Sequence, residues 1–125
     1  MKQHVKIVNV DIYNRGVLVF FGSESQLINY VHQRFPCYDD CIRDGLNDGK
    51  NGTAYTFKLP ADAIIFAGTI PAEKTIVHEI GHVAKHLLSI VEVEDEEAFC
   101  YLLEYLYDKI IPWVRTISSS APASS

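Results

Sequence analysis

The chain predicts an α+β fold built on a small, largely antiparallel sheet. Short runs rich in β-branched and aromatic residues are bounded by turn formers, as strands are. Longer stretches repeat apolar residues at helical spacing. The two kinds come in blocks, in the order ββα, ββ, αα, rather than in strict alternation.

Residues 5–12 (VKIVNVDI) and 17–21 (VLVFF) flank YNRG, where Asn14 and Gly16 are turn formers, so a β-hairpin is expected. Ser23 stands three positions before Gln26, a capping-box pattern, and Leu27, Tyr30, Val31 and Phe35 follow at helical spacing until Pro36 ends the helix. CYDDCIRDGLNDGKNG is polar and glycine-rich and reads as a loop. TAYTFKLP and AIIFAG read as two further strands. A helix is expected from Pro71 through HLLSI, with a break at VEVED. EEAFCYLLEYLYDKII then forms a last helix that Pro112 should stop. One domain is expected over 1–117, and the Ser/Ala/Pro-rich 118–125 reads as a disordered tail.

Composition narrows the function. The 125 residues suit one domain, and 48% hydrophobic with 22% charged residues is ordinary for a globular chain. A net charge of −5 argues against a surface that neutralises phosphates, so no nucleic-acid partner is expected. The N-terminus lacks the apolar core and cleavage site of a signal peptide, and no apolar run approaches the ~18 residues of a membrane span. Three cysteines, an odd number, fit a reducing compartment. The expected location is the cytoplasm, without a membrane partner.

The chemistry centres on His78-Glu79-Ile80-Gly81-His82. On a helical wheel Ile76, Val77, Ile80, Val83, Ala84, Leu87, Leu88 and Ile90 share one sector, while His78, His82, Lys85 and Ser89 lie opposite. The two imidazoles, one turn apart, can reach one ion at about 2.0–2.1 Å, with Glu79 projecting beside them. Gly81 stands where Ala would be favoured by ~1 kcal/mol, which suggests close approach to the backbone. A catalytic zinc takes three protein ligands, so a third donor is needed. On the last helix Glu97, Tyr101, Glu104 and Asp108 form a stripe. Glu97 is the preferred ligand; Glu96 points nearer the apolar sector and Asp95 suits a helix cap.

HEIGH followed by a helix carrying EEAFCY resembles the gluzincin arrangement, in which two histidines and a downstream Glu followed by Ala bind zinc. The chain is also similar to short zinc metallopeptidases encoded by phages and prophage-like elements: a strand-rich first half, a glycine before a Thr-aromatic strand (GTAYTF), an HExxH helix and a C-terminal Glu-Ala-aromatic helix. The resemblance implies a minimal zincin-like fold, ligands His78, His82 and Glu97, and Glu79 as the base. Two features depart from the larger enzymes: a short gap from His82 to Glu97, and Tyr101 where some have an Asp that orients a ligand histidine.

Other candidates are weaker. His86 continues the series, but ~12 Å along the axis separates it from His78, too far to share an ion. Cys37 and Cys41 with His32 supply only three donors in an acidic loop, so free thiols are expected. DGLNDGKNG fails as a calcium loop, because Leu46 and Tyr55 fall where oxygen ligands are required. Tyr55, Tyr101 and Tyr105 could each donate to a developing oxyanion, although packing is the commoner use of Tyr.

The expected function is therefore zinc-dependent hydrolysis of a protein or peptide, with Glu79 taking a proton from water and returning it to the leaving amine. An extended substrate would pair with an edge strand around residues 63–67. So small a chain leaves room for a protein partner or assembly to supply specificity. The alternative is a metal-stabilised binding module of a phage particle or regulatory complex.

Overall fold

A computed structural model describes residues 2–47 and 54–120. The chain runs β1 (His4–Val10), β2 (Arg15–Phe21), α1 (Glu24–Arg34), α2 (Asp39–Asn47), β3 (Tyr55–Lys58), β4 (Ala63–Ala67), α3 (Glu73–Ile90) and α4 (Glu96–Ser120). The fold class is α+β, as the sequence predicts. Short 3₁₀ turns at Asp11–Tyr13 and Pro36–Tyr38 complete it.

The sheet has the order β1-β2-β4-β3. β1 and β2 form the expected antiparallel hairpin, with Val8 opposite Val17, and Asn14 takes the left-handed conformation (φ 52°) its turn requires. β3 and β4 are antiparallel, with Thr56 opposite Ile65, but the central pair β2 and β4 is parallel, with Val19 opposite Ile65. The sheet is thus mixed, and Ala63–Ala67 is an inner strand. It cannot serve as the edge for an extended substrate; on that side of the sheet the edge is β3.

Continuous apolar runs explain the inner pair, since strands covered on both faces have no solvent side to alternate with. On one face Val17, Val19, Ala63 and Ile65 pack against Ile76, Ile80, Val83 and Leu87 of α3 and Leu106, Ile110 and Ile111 of α4. On the other, Leu18, Phe20, Ile64 and Phe66 pack against Leu27, Tyr30 and Val31 of α1 and Ile42 of α2. The capping box is present: Gln26 N donates to Ser23 Oγ at 3.1 Å and Ser23 N donates to Gln26 Oε1 at 2.9 Å.

Three local expectations are corrected. Residues 39–47 form a helix rather than a loop, burying Ile42. α4 continues through Pro112 to Ser120, so the first residues of the supposed tail are helical, while 121–125 lie outside the described residues. A Cβ on Gly81 would meet nothing within 4 Å, so no part of the described chain approaches its backbone. No helix among the described residues is long and apolar enough to cross a membrane.

Candidate metal centre

α3 ends in a left-handed residue, Glu92 (φ 59°), and Val93 N bonds back to Leu88 O at 3.0 Å, which closes the helix and turns the chain into α4. The other end of α3 is tied to α4 by a two-point ion pair: Arg115 donates from Nε to Glu73 Oε1 at 2.5 Å and from the terminal nitrogen to Oε2 at 3.1 Å. That hydrogen bond holds the Glu73 carboxyl below its ordinary pKa. The two helices form an antiparallel hairpin, with α3 over β3 and β4 and α4 reaching β1.

On the solvent flank of α3, His78 and His82 are exposed and converge, Nε2 to Nε2 at 3.2 Å, with their rings nearly perpendicular. Glu79 is not presented with them as the wheel suggested; it is only 8% exposed. Its Oε1 accepts a 2.7 Å hydrogen bond from Thr56 Oγ1, on β3, which is itself buried. His86 is also committed: its Nε2 lies 2.7 Å from Leu59 O and 3.1 Å from Asp62 O. Both partners are acceptors, so this nitrogen carries the proton, and the ring staples the β3–β4 turn to α3.

The α4 candidates lie elsewhere. Glu97 is in the exposed first turn of α4, where neighbouring Glu96 and Phe99 share a groove with Leu88 and Ser89 at the far end of α3. Glu104 and Asp108 share a groove with Val77 and Ile80, on the flank of α3 that faces α4 rather than the histidine flank. Tyr101 is 66% exposed, and Tyr105 donates to Asn9 O at 2.8 Å, on β1 at the opposite edge of the sheet from β3. Tyr55 on β3 meets Phe57 edge-on, ring centroids 4.8 Å apart. Among the described residues no three or more His, Cys, Asp and Glu side chains stand close enough to hold an ion, so Glu97 is not gathered with His78 and His82.

Against known proteins, no family model, no curated protein and no solved structure matches the chain. Its chemistry has to be read from its own residues.

Two nitrogens bound to one tetrahedral zinc at about 2.0–2.1 Å lie roughly 3.3 Å apart. The His78–His82 separation of 3.2 Å fits that requirement. Near the pair, the structure adds one residue the sequence reading had not singled out, Thr56. Its aim at Glu79 follows from the pairing of Thr56 with Ile65, which only the assembled sheet supplies. The cysteines are free thiols, and His32 pairs with Asp39 Oδ2 at 2.7 Å. Of the stretch rejected as a calcium loop, 44–47 is helical and the remainder lies outside the described residues.

Proposed function

We propose that α3 carries a zinc site and that the chain is a zinc-dependent hydrolase of peptide bonds. The convergence of His78 and His82 Nε2 at 3.2 Å on an exposed helical face carries the reading. Zinc, when bound there, supplies an activated water and polarises a carbonyl. Thr56 Oγ1 holds Glu79 Oε1, which leaves Oε2 to take a proton from the attacking water and deliver it to the leaving amine. Among the described residues β3 pairs only with β4, which leaves its outer edge for an extended peptide beside that carboxylate.

With Glu97 outside any three-donor group among the described residues, the reading assigns the third donor to a substrate or partner group, in keeping with a protein partner or assembly. The phage or prophage origin and the cytoplasmic setting belong to the same proposal, and rest on the motif resemblance and the odd cysteine count. The burial of Glu79 favours a second reading, a metal-stabilised binding module in which Glu79 and Thr56 join α3 to the sheet. Zinc content and cleavage of a fluorogenic peptide library, measured for the parent and Glu79→Gln, separate the two. A hydrolase keeps zinc in the variant and loses cleavage by about a hundredfold or more. Zinc binding without cleavage by the parent selects the module.

A further inference from the structure

On the face of the sheet away from α3, beside the turn that joins β1 to β2, lies a cavity of about 490 Å³. Ile7, Leu18, Ile64 and Phe35 give it an apolar wall, and Asp62 and Tyr38 give it a polar end. Ile7 is 49% exposed and Phe35 36%, so that part of the wall is open to solvent, while Leu18 and Ile64 behind it are buried.

Asp62 is held on every side. Its Oδ1 accepts from Gly16 N at 2.8 Å and its Oδ2 from Tyr38 OH at 2.5 Å. Its backbone oxygen accepts from Leu59 N at 3.1 Å and lies 3.1 Å from His86 Nε2. A carboxylate has about four lone-pair sites, and these two bonds fill half of them. Among the described residues it has no ion-pair partner. Arg15 lines the same cavity: its terminal nitrogen donates to Asn14 O at 3.2 Å and its buried Nε has no partner among the described residues, while Asp11 joins Asp62 to give the lining two acids to one base. A fixed carboxylate outside any ion pair, in a lining whose acids outnumber its single base and beside an apolar wall, suits a ligand with a cationic head and an apolar body.

We propose that this cavity binds a small amphipathic cation, a primary amine or guanidine on an apolar body, with its head on Asp62 and its body on Ile7, Leu18 and Ile64. The site is independent of zinc, because it uses the opposite face of the sheet from His78 and His82.

Benzylamine is the probe, titrated into the ¹⁵N-labelled full chain at about pH 7, with benzoate and benzyl alcohol as controls of the same ring. Saturable shifts of the Gly16 and Asp62 amides are expected with benzylamine at a millimolar Kd, and at least about tenfold weaker with either control. Asp62→Asn should weaken binding about fivefold or more, as should Ile7→Trp, which fills the cavity from an exposed position. An equal response to benzyl alcohol, or no saturable response to benzylamine, overturns the proposal.

Discussion

Glu79 and Thr56 are the buried polar residues that join α3 to β3, and each needs the other. Removing the hydroxyl leaves a carboxylate oxygen in a buried place with no donor, which costs about 1–3 kcal/mol. Thr56→Val should therefore lower the unfolding free energy, read from urea titrations, by that amount, while Thr56→Ser stays near the parent. Tyr38 gives a prediction with a pH sign. Burial, and then the hydrogen bond to Asp62 and its charge, raise the phenol above its ordinary 10.0. The folded state thus holds this proton more tightly than the unfolded chain. The stabilisation is complete below about pH 10 and is lost as pH rises above it. Tyr38→Phe should show a shallower loss than the parent between about pH 8 and pH 11, read from urea midpoints at each pH. At this scale the two histidines and Glu79 were legible as types and spacing. Thr56 and Tyr38 were not, because each matters through a partner more than 20 positions away.

The elements misread from sequence were misread at glycine and proline. Gly45 looked like loop chemistry, yet it lies within α2 because the Phe57 ring sits against it; a Cβ there would come within 2.7 Å of that ring. Gly45→Ala should therefore destabilise by about 1–3 kcal/mol despite the better helix propensity of Ala. Gly81→Ala should do the opposite, adding up to ~1 kcal/mol, because its Cβ meets nothing within 4 Å. Thermal midpoints of the two variants, shifted in opposite directions, check both. Pro112 was taken as a stop because a proline inside a helix costs about 3 kcal/mol. Beyond it, however, Val114 is buried and Trp113 stacks on Phe21 with ring centroids 5.6 Å apart. Burying such side chains contributes about 1.5–3 kcal/mol each, enough to carry the helix past the break. The capping box, by contrast, was legible because it is complete within four residues.

Across the whole molecule, the blocks of strand and helix were readable, and their layering was not. Continuous apolar runs in β2 and β4 were compatible with any buried strand, and only the crossover through α1, α2 and β3 makes them parallel neighbours. The same limit applies to the third ligand. A wheel places Glu97 on a stripe, but the flank of α3 that faces α4 is set by the sheet beneath them. α3 lies over β3 and β4 with its histidines turned away from α4. The central claim is that His78 and His82 together hold one zinc ion. Competition against a chromophoric chelator, run on the parent, His82→Ala and Glu97→Ala, tests it most directly. The account predicts one zinc per chain for the parent, an affinity within about threefold of it for Glu97→Ala, and a loss of about a hundredfold or more for His82→Ala. Zinc held equally well by His82→Ala, or no zinc bound by the parent, would contradict it.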